Sequence, residues 1–322
     1  LWSSYRTTSD LVGAGLLKSE DALGLEPVFE KFGFLLPRYY ANLIDPHDPH
    51  CPIRLQAIPS AAEIREERGM VADPLQDLAF KPAERITHRY SNRVLLHLTP
   101  NCSMVCRFCF RKTLLNELKS DLFAGSWHEA VNYVIEHPEV EEVILSGGDP
   151  LLLTDSQLRE VLQALDKVPT LQRIRFHTRV PVTFPMRVTK EFCELLASIS
   201  KGTVVVTHFN HPKEITEEAG RACQVLRESV DCVLNQSVLL KRVNDSASVL
   251  AKLSRELFGI GVLPYYLHHP DRATGTQHFD ISVEEGTRIF NQMRCDLPGY
   301  LVPRYVIDRP AVPYKMSVTE LL

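Results

Sequence analysis

The spacing of three cysteines constrains this chain more than any other feature of its sequence. Cys102, Cys106 and Cys109 follow one another with three and then two residues between them. Three thiolates on one short loop can bind three irons of a [4Fe–4S] cluster and leave the fourth iron open to a small molecule. A structural zinc site usually pairs its cysteines two residues apart, and an odd triplet cannot pair internally as disulfides, so these alternatives are weaker.

The composition limits the class of protein. The chain has 322 residues, of which 44% are hydrophobic and 24% are charged, so we expect a soluble globular protein with one large domain or two ordinary ones. The net charge of −4 gives no reason to expect nucleic-acid binding. No apolar run reaches the ~18 residues of a membrane span, and the first residues lack signal-peptide features. Free cysteines beside an oxygen-sensitive cluster motif predict a cytoplasmic protein.

Apolar runs that alternate with amphipathic segments predict an α/β fold. Buried strands are predicted over 94–98, 142–146, 173–177, 204–208, 232–235, 262–267 and 301–306. Helical patterns lie between these strands; one of them carries Leu158 and Leu165 on its apolar stripe and follows a capping box formed by Thr154 and Gln157. Strands recur every ~30 residues, the length of a βαβ unit, which indicates a barrel or a doubly wound parallel sheet.

Polar side chains stand at the ends of several predicted strands. They are Ser146, His177, His208, Asn235, Gln236, His268 and His269. In barrels and open parallel sheets the active site lies at the carboxyl ends of the strands. Because a polar group in a core needs a buried partner, we expect these residues to line an active site rather than fill the core. The cysteine loop follows the first strand of the series, at the same face.

Longer motifs resemble the lysine 2,3-aminomutase family of radical S-adenosylmethionine (SAM) enzymes. The resemblance runs from about Pro37 to Lys315, and its motifs lie at 87–93, 101–111, 146–151, 207–212, 235–240 and 264–267. It implies a partial TIM-like (βα)6 radical SAM barrel with an N-terminal helical arm. The implied units are the arm and a connector at 1–92, the barrel at 93–300, and a segment at 301–322 that carries a lysine for pyridoxal 5′-phosphate (PLP).

The resemblance also implies a reaction. Members of that family use a [4Fe–4S] cluster, SAM and PLP to move an amino group from Cα to Cβ through a 5′-deoxyadenosyl radical. We therefore expect an isomerase, a radical SAM 2,3-aminomutase that converts L-lysine to β-lysine. Alternatives are the same chemistry on another amino acid, or on lysine destined for modification of elongation factor P. A further alternative, from another class, is a degenerate member that binds cluster and SAM yet serves in redox or as an inactive partner.

The cofactor residues follow from the resemblance, position by position. The cluster ligands are Cys102, Cys106 and Cys109. The SAM residues are Gly147, Gly148, Asp149, His208 and Gln236. The PLP residues are Arg89, Tyr90, Arg93 and the catalytic Lys315. Glycines would let the backbone approach SAM closely, and Lys315 would bind PLP covalently, although a lysine near a chain end can also be a solvated surface residue.

Three further residues match substrate-binding positions of the family. Arg111 matches the residue that clamps the substrate carboxylate, for which a forked guanidinium is suited. Asp271 and Asp308 match two carboxylates that hold the ε-ammonium of lysine. A desolvated ammonium needs paired countercharge, so the two aspartates together favour a substrate with a distal amine.

The expected partners are an amino acid substrate and a reducing electron donor such as flavodoxin or ferredoxin, with no nucleic acid and no membrane; a homo-oligomer is left open. No zinc is expected, because the zinc-binding cysteines of the larger aminomutases have no counterpart up to Leu322. The short tail and residues 263–268 resemble the branch that serves elongation factor P. Residues 45–54 and Asp308 resemble the free-lysine branch, and we follow the residues that would contact the substrate.

Overall fold

The first part of the chain forms an arm of short helices. The computed structural model describes residues 4–65, 67–117, 122–310 and 312–321. The arm contains β1 (Ser4–Tyr5), α1 (Thr8–Gly13), α2 (Ser19–Ala22), α3 (Glu26–Phe32), β2 (Leu36–Pro37), α4 (Arg38–Ala41) and α5 (Pro52–Ala57). β1 and β2 pair antiparallel with each other, apart from the main sheet. The predicted helical character of the arm is therefore present in short pieces.

A single large sheet dominates the remainder of the described chain. Its strands are β3 (Ile86–Tyr90), β4 (Arg93–Thr99), β5 (Glu142–Gly147), β6 (Arg173–His177), β7 (Gly202–Thr207), β8 (Cys232–Val238), β9 (Leu263–His268), β10 (Arg304–Ile307) and β11 (Met316–Ser317). They are ordered sequentially from β3 at one edge to β11 at the other. β4 to β10 run parallel, whereas β3 and β11 pair antiparallel with β4 and β10.

The sequential strand order distinguishes between the two architectures that the sequence left open. In a doubly wound sheet the order reverses and helices cover both faces. Here each parallel strand lies beside the next in sequence, so right-handed crossovers place the connecting helices on one face and the sheet curls towards a barrel. The edge strands β3 and β11 do not pair with each other in the described residues. The predicted α/β partial barrel is confirmed, and β10 extends it beyond six units.

Helices connect the parallel strands. They are α6 (Lys112–Glu117), α7 (Trp127–Glu136), α8 (Asp155–Asp166), α9 (Val180–Thr183), α10 (Lys190–Ala197), α11 (Glu217–Ser229), α12 (Ala247–Gly259) and α13 (Val283–Cys295). α8 begins with the predicted capping box of Thr154 and Gln157, and it buries Leu158 and Leu165. None of the helices in the described part of the chain is long and apolar enough to cross a membrane.

The two faces of β4 show how the sheet separates core from site. Val94, Leu96 and Leu98 point to one face and join the main hydrophobic core. His97 points to the other face, and its cross-strand partner is Ser146 on β5. Each strand of the barrel thus carries apolar side chains towards the helices and can carry polar ones towards the interior.

β3 was not predicted as a strand. It lies within residues 1–92, which the resemblance assigns to the arm, and it pairs directly with β4. Only Ile86 and Thr87 of this strand are fully buried, so its sequence lacks the apolar run that identifies the other strands. The boundary between arm and barrel therefore lies between two paired strands, and the division into units stays a prediction.

Candidate active site

The cysteine loop connects β4 to α6, and the arm holds its backbone. The Val105 amide donates to the Leu35 carbonyl at 3.0 Å, and the Arg107 amide donates to the Gln56 carbonyl at 3.0 Å. Within the loop, the Cys109 amide donates to the Cys106 carbonyl at 3.1 Å. The arm and the loop therefore share backbone hydrogen bonds on the side of the cysteines.

A buried ionic triad reinforces this attachment. Glu63 of the arm accepts from Arg107 at 2.6 Å and from Lys112 at 2.7 Å, and the three side chains are at most 1% exposed. Lys112 also donates to the Gly275 carbonyl at 2.7 Å, so this network also binds the loop after β9. Burial acts to raise the pKa of the Glu63 carboxyl, but the two cations hold that pKa below its ordinary value. The triad is charged, and it connects three separate segments.

The two glycines at the end of β5 are required by the cysteine loop itself. Gly147 has a φ of +108°, which favours glycine, and a Cβ there would lie 2.8 Å from the Thr99 carbonyl oxygen. A Cβ on Gly148 would lie 2.7 Å from the carbonyl carbon of Asn101. We expected the missing side chains to allow close approach of SAM. The structure shows a different close approach, between this turn and the backbone that carries the cysteines.

Asp149 anchors the same turn to the end of β6. Its carboxylate accepts from the Thr178 hydroxyl at 2.7 Å, from the Arg179 amide at 2.7 Å and from the Leu151 amide at 3.1 Å. It is 4% exposed. The side chain predicted to contact SAM is therefore bound to protein groups, and it holds the segments that surround the cysteine loop.

The cysteine thiols lie close enough to influence one another. Burial raises the pKa of Cys102 well above its ordinary value, and Cys109, Asp149 and Cys106 add to the effect. Burial also raises the pKa of Cys109, again with a contribution from Cys106. Within the described residues, no three His, Cys, Asp or Glu side chains converge as ligands around a single metal ion do. Three neighbouring free thiols on one loop fit a cluster of several irons.

The predicted SAM residues His208 and Gln236 lie side by side. Their Nε2 atoms are 2.8 Å apart. Burial lowers the pKa of His208 to about 3, so this imidazole is neutral at physiological pH. The His177 ring lies 6.1 Å from that of His208, and its buried Nε2 has no partner among the described residues. An unsatisfied buried nitrogen beside this pair fits a polar ligand.

The expectation that the polar strand ends all line the site is wrong for two of them. Asn235 accepts from the Phe209 amide at 2.7 Å and donates to the Phe209 carbonyl at 3.1 Å, so it shapes the loop after β7. His269 lies 2.8 Å from the Tyr305 hydroxyl. These side chains have the buried partners that a polar group in a core requires.

Arg111 is positioned by an aspartate that sequence reasoning missed. Its Nε donates to Asp77 at 2.7 Å, and its Nη1 donates to the Ser146 hydroxyl at 3.3 Å. Burial acts to raise the pKa of the Asp77 carboxyl, but Arg111 holds it below its ordinary value. The Asp77 amide donates to Asp73 at 2.9 Å. Asp73 and Asp77 lie four residues apart in an irregular segment, a pattern typical of a turn. This pattern is the sequence signal that could have pointed to Asp77.

The C-terminal segment brings Lys315 to Asp308. The Lys315 amine pairs with Oδ2 of Asp308, and the Tyr90 hydroxyl donates to Oδ1 at 3.2 Å. Arg89 lies 3.6 Å from the same Oδ1. The Arg93 guanidinium stacks on the Tyr90 ring at 4.0 Å. The four predicted PLP residues and one predicted substrate residue are therefore brought together, and Asp308 already binds an ammonium group.

Arg89 also ties the C-terminal segment to β3. Its Nη2 donates to the carbonyls of Arg309 and Val312, the latter at 3.1 Å. Its buried Nε has no partner among the described residues. An arginine with a spare buried donor, next to a lysine amine, fits an anionic group such as the phosphate of PLP.

Asp271 differs from the other acidic residues of the site. Its carboxylate makes no hydrogen bond or ion pair with any residue that the structure describes. Burial raises the pKa of Asp271 to about 7, and the negative charge of Asp308 contributes to that rise. Lys315 and Arg111 act in the opposite direction on the pKa of Asp271, but neither forms an ion pair with its carboxylate in the described residues.

Comparisons with known proteins identify the family of this chain. The model of the radical SAM superfamily matches residues 96–247. An L-lysine 2,3-aminomutase of Haemophilus influenzae is 40% identical over 289 residues, 90% of this chain and 85% of that protein. One of Clostridium subterminale is 38% identical over 91% of this chain and 70% of that protein. A glutamate 2,3-aminomutase of Clostridioides difficile is 35% identical over 89% of this chain and 67% of that protein.

A solved radical SAM methyltransferase from Sphaerobacter thermophilus covers 70% of this chain and 69% of its own, at 18% identity and a TM-score of 0.46. The open parallel barrel, with a three-cysteine loop after its first parallel strand, defines the class of radical SAM enzymes. The chain belongs to the lysine 2,3-aminomutase family of that class, and it is an isomerase, a radical SAM aminomutase. Membership implies a [4Fe–4S] cluster and SAM.

Proposed function

We propose that this aminomutase acts on L-lysine and moves its α-amino group to Cβ, which gives β-lysine. The observation that carries the proposal is Asp271, a half-buried residue near Asp308 whose carboxylate has no hydrogen-bond or ion-pair partner among the described residues. Lys315 and Arg111 act on this carboxylate without forming an ion pair with it, and its pKa stays raised. A substrate ammonium in direct contact would supply the missing ion pair. A lysine side chain ends in such a group.

Asp308 supports the same substrate class. It binds the Lys315 amine in the structure, so its surroundings accept an ammonium ion. Lys315 is also the residue that we propose for covalent attachment of PLP, and a lysine committed to PLP no longer neutralises Asp308. Two neighbouring carboxylates would then face the end of the substrate.

The same charges argue against a glutamate substrate, although one relative is named a glutamate 2,3-aminomutase. The side chain of glutamate ends in a carboxylate. Placed near Asp271 and Asp308, it would add a third negative charge to a site where burial, together with the charge of Asp308, already raises the pKa of Asp271. Electrostatic repulsion of this kind excludes substrates as effectively as attraction selects them.

The chain's own residues divide the remaining work. Arg111, fixed by Asp77 and Ser146, would bind the substrate carboxylate through its free donors. Lys315 would hold PLP covalently, with Arg89, Tyr90 and Arg93 around it. PLP, when it is bound, would carry the migrating amino group. The cluster and SAM supply the radical that starts the reaction, and an external low-potential donor such as flavodoxin or ferredoxin would supply the electron.

The link to elongation factor P is a narrower proposal. It rests on the resemblance of residues 263–268 to that branch, and it requires the same conversion of lysine. The absence of zinc also stays a prediction.

The proposal is tested by a substrate comparison. The chain, reconstituted anaerobically with iron and sulfide, is incubated with reductant, SAM, PLP and either L-lysine or L-glutamate, and the β-amino acids are separated by chromatography. We expect β-lysine from lysine and no product from glutamate. Conversion of glutamate but not of lysine would refute lysine as the substrate. SAM cleavage without any β-amino acid would favour a degenerate family member that does not convert an amino acid.

A further inference from the structure

Arg179 lies two residues after the end of β6, and oxygen acceptors bind two of the three nitrogens of its guanidinium. Its Nε donates to the His208 carbonyl at 3.2 Å, and its Nη2 donates to Glu214 at 2.5 Å and to Gln56 at 2.8 Å. The residue is 8% exposed. Neither the cysteine motif nor the strand-end pattern identified it as a site residue.

The remaining nitrogen of this guanidinium points to a cluster ligand. Nη1 of Arg179 lies 2.8 Å from Sγ of Cys106. In the described residues, no other side-chain donor contacts the sulfur of Cys106, Cys102 or Cys109. The middle cysteine of the motif therefore has a charged hydrogen-bond donor, and its two neighbours do not.

The groups that aim this donor are themselves fixed. Glu214 is fully buried, and it accepts from the Tyr40 hydroxyl at 2.6 Å and from the Asn210 amide at 2.6 Å. Gln56 accepts from the Asn210 side chain at 3.0 Å. Because Tyr40 and Gln56 belong to the arm and Glu214 follows β7, two separate parts of the chain set the position of Arg179.

We propose that Arg179 is a positioning residue that donates a hydrogen bond to the Cys106 thiolate and thereby raises the reduction potential of the cluster. The inference rests on the cluster assigned to Cys102, Cys106 and Cys109. Reduction transfers one electron from an external donor to the cluster and breaks no bond. The added charge is shared with the ligating sulfurs, so a charged donor on one sulfur stabilises the reduced cluster more than the oxidised cluster.

A purely structural role would not need this geometry. Nε and Nη2 already connect Arg179 to β7, to Glu214 and to the arm, and these bonds would serve packing alone. Nη1 is the one nitrogen of the three whose partner is the sulfur. Loss of Nη1 from this position should change the reduction potential of the cluster, so that potential is the property to measure.

The test is a redox titration of Arg179→Gln and Arg179→Lys, with the reduced cluster followed by electron paramagnetic resonance. At a fixed ambient potential, we expect the ratio of reduced to oxidised cluster in Arg179→Gln to be at least ~10-fold lower than in the parent, a midpoint ~59 mV more negative for one electron. Arg179→Lys keeps the charge but loses the fork, so it should show a smaller shift in the same direction.

Arg187→Gln is the matched control, because Arg187 forms a similar ion pair with Asp155 at 2.6 Å and contacts none of the three cysteines. Its midpoint should equal that of the parent. Parental midpoints in both Arg179 variants overturn the inference. So does a failure of both to bind iron at parental thermal stability, because Arg179 would then act in cluster assembly. A parent that binds no cluster would instead contradict the assignment of the cysteines.

Discussion

The two ends of the active site are built differently. Around the cysteine loop, the charged groups have partners from within the chain: Glu63 binds Arg107 and Lys112, and Arg179 binds Glu214. At the C-terminal end, the acidic groups are either paired with a residue that a cofactor would bind or have no ion-pair partner. Lys315 pairs with Asp308, and Asp271 has no ion-pair partner in the described residues.

This difference indicates which end depends on ligands for its charge balance. The surroundings of the cysteine loop are satisfied by protein contacts, as expected for a site that must bind a fixed cofactor in one geometry. The end with Asp271 carries a carboxylate that has no ion pair in the described residues, which lowers stability and would favour a cationic ligand. Removing a charged side chain should therefore destabilise the surroundings of the cysteine loop, whereas removing the charge of Asp271 should stabilise the chain.

The largest effect is expected at the cluster end. Cys106→Ala should abolish SAM cleavage, because loss of one of three thiolates leaves two irons without protein ligands. Cys193→Ala, which removes a buried free cysteine of α10, is the control and should cleave SAM like the parent. The measurement is 5′-deoxyadenosine release together with iron content. Normal release from the Cys106 variant would show that the cluster is bound elsewhere.

At the other end, Lys315 should carry PLP. Borohydride reduction of the PLP-loaded chain should trap PLP on Lys315, located by mass mapping of peptides, since a covalent lysine link becomes stable on reduction. Lys315→Ala should lose both the adduct and β-lysine formation, whereas Lys241→Ala, at an exposed lysine, should lose neither. An adduct on another lysine would remove Lys315 and Asp308 from the proposed site.

The buried triad should show the cost of breaking a satisfied network. Glu63→Gln leaves Arg107 and Lys112 buried without their carboxylate, so we expect a loss of about 3–5 kcal/mol in the free energy of unfolding. Glu84→Gln is the control, because its ion pair with Lys81 at 3.0 Å is 40% exposed on the glutamate side and should contribute below ~1 kcal/mol. Urea titrations give both values. Equal losses would mean that the triad does not anchor the cysteine loop.

Asp271→Asn should have the opposite sign in the ligand-free chain. Asp271 has a folded-state pKa of about 7, raised from 3.8, so the folded state binds more protons than the unfolded state between these values. Its carboxylate therefore reduces stability as pH rises through this window, by up to ~4 kcal/mol. The variant should equal the parent near pH 4 and exceed it above pH 7 in urea titrations. A variant less stable than the parent at pH 8 would show that Asp271 has a partner.

The sequence predicted the barrel well because its strands carry continuous apolar runs. Each of the seven predicted segments overlaps an observed strand. β3 and β11 were missed, since edge strands need only one buried face and theirs are short and partly polar. The order of strands, which decides between a barrel and a doubly wound sheet, depends on non-local pairing, and periodicity does not report it.

Site residues were predictable where a motif exists and not where a partner comes from a distant segment. The cysteines were identified by their spacing and Lys315 and Asp308 by resemblance, and the structure brings the last two together. Asp77 and Arg179 were not, because their roles arise from contacts with residues 34 and 73 positions away. Asn235 shows the converse error, since a polar strand end can be satisfied by the adjacent loop.

The central claim is that Asp271 and Asp308 select a substrate by its distal ammonium. It is tested most directly by kcat/KM for L-lysine and for L-2-aminohexanoic acid, which has the same carbon chain without that amine, in the parent and in Asp271→Asn. Since loss of one partner of a buried ion pair costs about 3–5 kcal/mol, we predict a preference for lysine of at least ~100-fold in the parent. In the variant it should fall below ~10-fold. An unchanged preference in Asp271→Asn, or a parent that converts both compounds equally, would contradict the claim.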